Sequence, residues 1–435
     1  MTLFEEIEMM AGSCCDALSA GRKLRAKDRR VSAFVQALSP RLGELHLRKH
    51  DNNPYMYNGR WWEQTTWKAV GDMFYRVLIR YKVMAPDALR VFAYLTPFVP
   101  SFEPELHLYA FTNCLYDTRI FKPAEFSDRR FCVRSMNYEY RPVSKGRFFP
   151  GFLRRVLPSI SDQMAVQEFL GSAYIDRSRL ALEKFLLMIG SGANGKSVLL
   201  KCVTAAIGPG LVSHLDPNQL CNERLVEGLR SKLLNIASDV RTDAQLTAGL
   251  KPLVSAEEVE GWELYKGRVT VKAPPLVFSM NHVPVSTDMS EGMRRRMLPV
   301  VFGVTIPEEE RDPMLADKII RWDLPAVFNW LCMGAKRIKR RRRFTEPEQS
   351  TRTVREIEKL SLPMLAILKS RGLYPEPLWK GQKPELMDIG DIQGIVDFDC
   401  TPQDISRNMH NAGYRSVIRH GYKSFQLYRG DPEES

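Results

Sequence analysis

The chain has 435 residues, enough for two to four domains, and its apolar fraction of 44% and charged fraction of 26% are those of an ordinary folded protein. A net charge of +12 favours a polyanionic partner, and no stretch approaches the twenty or so apolar residues of a membrane span. Eight scattered cysteines (Cys14, Cys15, Cys114, Cys132, Cys202, Cys221, Cys332, Cys400) form no C-x-x-C pair or metal-spaced group, which argues for free thiols in a reducing compartment and against a zinc module. The acidic start Met1-Thr2-Leu3-Phe4-Glu5-Glu6 lacks a signal-peptide core, so a cytoplasmic location is expected.

Along the first 150 or so residues, apolar Val70, Met73, Phe74, Val77 and Leu78 predict a helix over 68–81, and short β-like runs lie at 107–111 and 130–133. Phe148-Phe149-Pro150-Gly151 suggests a boundary, and residues 152–182 read as two helices, the second carrying Met164, Val166, Phe169 and Leu170. The apolar run Phe185-Leu186-Leu187-Met188-Ile189 then enters Gly190-Ser191-Gly192-Ala193-Asn194-Gly195-Lys196-Ser197, a full match to G-x-x-x-x-G-K-[ST], and Val198-Leu199-Leu200 continues as a helix. Strand, glycine loop and helix in that order make an anion cradle: glycines turn backbone N–H groups inward and the helix adds its positive end. Lys196 is placed to reach the β- and γ-phosphates of a nucleotide, and Ser197 to hold Mg²⁺.

Beyond the loop, strands and helices alternate to about residue 305, which predicts a mainly parallel α/β sheet. Leu233-Leu234-Asn235-Ile236-Ala237 ends at Ser238-Asp239, where a carboxylate can serve Mg²⁺ or the attacking water, with Asp243 a possible second acid. Glu263 to Lys272 is read as a β-hairpin whose tip carries Tyr265, Lys266 and Arg268, able to stack on or track a single strand. A second buried strand, Pro274 to Met280, ends at Asn281, an amide suited to orienting water or touching the γ-phosphate. Arg294-Arg295-Arg296 precedes the strand 297–302, a position where an arginine can complete a neighbour's site. Residues 315–343 read as one helix with a basic end, residues 344–395 as irregular with one helix at 352–371, and the C-terminus as helix 402–411 followed by two β runs around His420-Gly421.

Together these residues resemble a superfamily 3 helicase of the phage and plasmid primase-helicase type, within the AAA+ group. The resemblance rests on Gly190-x-Gly192-x-Asn194-Gly195-Lys196-Ser197 and on Lys272-Ala273-Pro274-Pro275-Leu276 leading to Asn281, and extends more weakly to Phe111-Thr112-Asn113-Cys114-Leu115-Tyr116-Asp117, where Cys114 replaces a glycine. It implies an AAA+-like phosphate-loop core over residues 151–345 with a helical lead-in at 151–182. A mixed α+β region would precede it (1–150), and a winged-helix-like unit carrying Arg415, Arg419, His420 and Lys423 would follow (346–435). It further implies a homo-oligomeric, hexameric ring that hydrolyses ATP with Mg²⁺ and moves on single-stranded DNA, usually 3′ to 5′, in replication of a phage or mobile element. In that register Lys196, Asp239 and Asn281 are catalytic in one subunit, Arg296 is the finger from the next, and Tyr265 and Lys266 are hairpin-tip contacts. The family's second acidic motif commonly ends in a glutamate or paired acids, whereas Ser238 precedes a single Asp239 here. No acidic triad lies in the first 150 residues, so a primase or polymerase would be a separate partner. Two alternatives stand beside this expectation: an origin-binding initiator that remodels DNA without processive unwinding, and an RNA-dependent ATPase.

Overall fold

The computed structural model describes residues 2–21, 27–81, 83–240, 245–263, 267–286, 288–361, 363–396, 402–419 and 422–431. They form two compact units, Met1–Arg141 and Pro142–Ser435. Among the described residues no helix is long and apolar enough to cross a membrane.

In the first unit, helix Trp67–Arg80 is capped by Thr66, whose hydroxyl accepts from the Ala69 N–H, and it buries Val70, Phe74, Val77 and Leu78. The β-like run at 107–111 is the strand Leu108–Ala110, paired antiparallel with Leu115–Asp117. The run at 130–133 is not a strand: Trp62 N–H donates to the Cys132 carbonyl, and Ala110 bridges Ser135 instead. Asp117 is buried between Arg119, Arg130 and His107, so this acid closes the hairpin by charge pairing.

The second unit is built on a five-stranded, all-parallel sheet. Its strands in chain order are β1 (Phe185–Ile189), β2 (Val212–Ser213), β3 (Leu234–Ala237), β4 (Leu276–Met280) and β5 (Met297–Val301). In space they run β5-β1-β4-β3-β2, with Val277 beside Leu186 and Leu298 beside the same residue on the other side. All three central strands are buried throughout and mostly apolar because both faces of a parallel sheet are covered. Phe185, Leu187 and Ile189 share one core with Phe278, Met280, Val254 and the C-terminal Ile357 and Leu368. Asn235, the polar residue within β3, is fully buried. Its amide accepts from Ser213 Oγ at 2.9 Å and Leu215 N at 2.9 Å and donates to the Leu215 carbonyl at 2.8 Å, tying β3 to the segment after β2.

Helix α1 (Lys196–Ile207) follows the glycine loop, and Leu324–Arg341 packs across both it and Ile160–Gly171. The single helix expected at 315–343 is two, Leu315–Trp322 and Leu324–Arg341, broken at Asp323. The buried Asp323 carboxylate accepts the N–H groups of Arg147, Phe148 and Phe149 at 2.8, 2.6 and 2.8 Å, capping helix Phe149–Val156. Residues 148–151, read as a boundary, thus begin a helix. At the basic helix end, buried Glu168 accepts from Arg337 at 3.2 Å and from Thr345 N at 2.6 Å, with Arg341 also beside it. Arg340, Arg342 and Arg343 remain exposed.

The segment 344–395 is more ordered than its composition suggests, with helices Ser350–Ser361, Pro363–Ser370 and Ile389–Val396. Helix Pro402–Asn411 and strands Ser416–Arg419 and Tyr422–Arg429 follow, and the last strand pairs with both Ser416–Arg419 and Glu385–Asp388. His420 and Gly421 lie outside the described residues.

Candidate nucleotide site

Strand β1 delivers Gly190 to the carboxyl edge of the sheet, where its N–H donates to the Met280 carbonyl at 3.1 Å and so extends the β1–β4 ladder. A Cβ on Gly190 would lie 2.5 Å from the Phe302 carbonyl oxygen and would also strike Asn194. Gly195, at φ +81°, starts α1, and a Cβ there would lie 2.5 Å from Val156 and 2.9 Å from Phe152. The two motif glycines therefore let the loop close against β5 on one side and helix Phe149–Val156 on the other. Above Gly192, at φ +96°, the space is open, and Ser191 and Ala193 are exposed: the concave side of the loop faces outward.

Lys196 folds into this loop. Its ammonium donates to the Gly190 carbonyl at 2.6 Å, to Asn194 Oδ1 at 3.0 Å and to Asn281 Oδ1 at 3.4 Å. Burial pushes this ammonium below its ordinary range, and the opposing influence is the Asp239 carboxylate. Lys196, Asp239 and Asn281 thus come together at the ends of β1, β3 and β4, the edge at which open parallel sheets bind ligands. Asp239 is exposed and adopts φ +52°, a conformation in which Asp is enriched, and the following Val240 N–H returns to the Ser279 carbonyl at 2.9 Å. Ser197 is exposed on the first turn of α1. Asp243 lies outside the described residues.

Asn194 does more than fill a variable motif position. Buried, it accepts from Lys196 through Oδ1 and donates to the Phe302 carbonyl at 3.4 Å, so it fixes the lysine against β5. The Ile306 N–H adds a donor to the Ala193 carbonyl at 2.9 Å. Sequence reasoning missed these anchors because Phe302 and Ile306 are more than a hundred residues downstream and act through backbone atoms.

Arg296 is not brought to the loop of its own chain. It precedes β5, whose length sets it roughly 15–20 Å from the phosphate-loop edge. Its guanidinium is turned inward, donating to Gly292 O at 2.8 Å and Ser255 Oγ at 2.9 Å, and it pairs with Glu183 at 2.8 Å. Arg294 pairs with Glu358 at 2.6 Å. Arg295, with its side chain 63% exposed, shares Glu183 at 3.2 Å.

The hairpin consists of strands Glu258–Glu263 and Gly267–Lys272, longer than the sequence suggested. Arg268 is on its second strand, while Tyr265 and Lys266 lie outside the described residues. Among the described residues no group of three or more His, Cys, Asp and Glu is arranged to hold a metal ion.

No family model matches the chain. Among solved structures it is similar to the apo structure of the NrS-1 C-terminal region (residues 305–718), with 12% identity over 88% of this chain and 96% of that one and a TM-score of 0.50. A second, A-form apo structure of the same region aligns over 91% of this chain and 98% of that one, with 11% identity and a TM-score of 0.50. At these identities the likeness is one of fold.

Proposed function

We propose that the protein is an ATP-dependent helicase that moves on single-stranded DNA as a ring, of the superfamily 3 primase-helicase type. The observation that carries this is the meeting of the Lys196 ammonium, the Asp239 charge and the Asn281 amide around an outward-facing glycine loop at the sheet's carboxyl edge. On this account the Lys196 donors now spent on Gly190 and Asn194 turn to the β- and γ-phosphate oxygens of ATP, and the loop N–H groups of 190–197 cradle the chain of phosphates. Mg²⁺, held by Ser197 and Asp239 when bound, would neutralise charge developing on the transferred phosphoryl oxygens. Asn281, already within hydrogen-bond reach of Lys196, orients the attacking water or the γ-phosphate.

The basic run before β5 serves a neighbour. Because Arg296 stands at the opposite edge of the sheet from its own loop, it acts only on the nucleotide of an adjacent subunit, which requires a ring. The resemblance puts Arg296 in that role, and doing so takes it out of its contacts with Gly292, Ser255 and Glu183. Tyr265, Lys266 and Arg268 on the hairpin contact the strand in the pore. On this reading the C-terminal unit, where helix Pro363–Ser370 is followed by two short strands, two helices and the strands Ser416–Arg419 and Tyr422–Arg429, acts as a winged-helix-like module that contacts duplex DNA or assists ring assembly.

Strand displacement on a tailed duplex with Mg²⁺ and ATP, run beside a mass measurement of the assembly, tests the proposal. Displacement by an oligomer is expected. A monomer that displaces nothing while footprinting one duplex site would point to the initiator alternative, and stimulation by RNA over DNA to the RNA-dependent ATPase.

A further inference from the structure

The hairpin Glu258–Lys272 has two unlike faces. Val259, Gly261, Val269 and Val271 alternate on one face. Gly261 there sits against the backbone of the 223–227 segment, where a Cβ would come within 3.3 Å of Glu227 N. On the opposite face stand Glu258, Glu260, Trp262, Arg268, Thr270 and Lys272. Trp262 is the anomaly: a large aromatic 50% exposed, in the last but one pair of the ladder, among charged side chains. It stands on the face opposite the one from which Val259, Val269 and Val271 pack into the core.

Trp262 lies directly opposite Arg268 in the antiparallel register. Such a pair sets Cβ atoms about 4.5–5.5 Å apart, so an indole face and a guanidinium share one patch. Arg268 also pairs with Glu260 at 3.3 Å, but both side chains are strongly exposed and a pair of this kind holds its partners weakly. An aromatic face beside a long cation, on an element that continues into Tyr265-Lys266, is the chemistry of a single strand: a base has a π-face for the ring and its phosphate an acceptor for the cation.

We propose that Trp262 is a base-stacking platform for single-stranded nucleic acid, with Arg268 across the hairpin holding the adjoining phosphate. This rests on the single-strand function proposed above and adds Trp262 to the hairpin residues assigned there to the strand. It predicts that binding depends on the presence of bases and not on charge alone.

The test uses the full chain, a labelled oligo-dT strand and an abasic strand of equal length and charge, with affinity read by fluorescence anisotropy across a salt series. The wild type should prefer the base-bearing strand by about tenfold. Trp262→Phe should keep most of that preference, whereas Trp262→Ala and Trp262→Leu should lose it, the leucine variant separating apolar bulk from stacking. Arg268→Ala should weaken both strands alike and reduce the salt slope. An oligo-dT preference that survives in Trp262→Leu overturns the inference, as does a loss of assembly mass in that variant, which would make Trp262 a contact between copies. Failure of the wild type to bind either strand would instead remove the single-strand function itself.

Discussion

Replacing Lys196 by methionine separates the chemistry of the loop from its stability. The ammonium makes three hydrogen bonds, to Gly190 O, Asn194 Oδ1 and Asn281 Oδ1, each worth about 1.5–3 kcal/mol when the donor is charged and the geometry good. Against them stands the cost of burying the charge, and the downward displacement of its pKa shows that desolvation outweighs its partners. A folded-state pKa below the unfolded value means that charged Lys196 costs stability at neutral pH, a cost relieved only as pH rises through that folded value. Met, of similar length and uncharged, removes the cost while stranding one Asn194 acceptor, at about 1–3 kcal/mol. The two nearly cancel, so the nucleotide-free melting temperature of Lys196→Met should stay within about 2–4 °C of wild type. Nucleotide reverses the comparison: Mg²⁺-ATP at about 100 times its Kd stabilises a protein by about 2.7 kcal/mol, an upshift the variant should lack along with hydrolysis. Differential scanning fluorimetry with and without a non-hydrolysable analogue, beside a phosphate-release assay, measures both. A variant that melts far below wild type, or that still turns ATP over, would refute the role given to this lysine.

Asn194→Ala should raise the KM for ATP more than it lowers kcat, because it frees Lys196 and leaves the Phe302 carbonyl without its donor; steady-state kinetics would expose the opposite split. Arg296→Ala, losing contacts to Gly292, Ser255 and Glu183, should lower stability by about 2–3 kcal/mol, whereas exposed Arg295→Ala should stay within about 0.5 kcal/mol. Mixing either variant with Lys196→Met protein identifies the trans arginine: only the subunits whose missing finger is supplied by the partner regain hydrolysis, and a mixture that stays inactive despite subunit exchange excludes the residue. In the first unit, burial pushes the His107 imidazole below its ordinary value near 6.5 against the opposing charge of Asp117. A depressed folded pKa gives stability that is present above about pH 6.5 and lost as pH falls through the folded value, so unfolding should become easier from about pH 7 to about 5 and less so in His107→Gln.

The elements most legible in the sequence are those whose signal is local. The run 185–197 carries its own strand, turn chemistry and helix start, and helix Pro402–Asn411 falls where proline and glycine bracket it. The acid strand and the Asn281 strand were readable as apolar runs with a polar tip, and the fold brings those tips to one edge. What stayed hidden depends on distant partners. The inward turn of Arg296 is set by Glu183, more than a hundred residues earlier, and a run of three arginines does not say which one is buried. The break at Asp323 is fixed by the N–H groups of 147–149, and Glu168 takes up Arg337 and Arg341 of the basic helix end as their structural counter-charge. Helix Ile389–Val396, with two internal glycines, has low intrinsic propensity and is held by its packing on helix Pro402–Asn411. Trp262 stands one residue before the hairpin the sequence predicts at 263–272, and only the register through Glu258 places it opposite Arg268.

The central claim is that a nucleotide site built on Lys196, Asp239 and Asn281 is coupled to a single strand. The most direct measurement is the rate of Mg²⁺-dependent ATP hydrolysis by the full chain with and without single-stranded DNA. The account predicts hydrolysis that rises on adding the strand and is absent in Lys196→Met under both conditions. Hydrolysis indifferent to any single-stranded nucleic acid, or persisting in Lys196→Met, would contradict it.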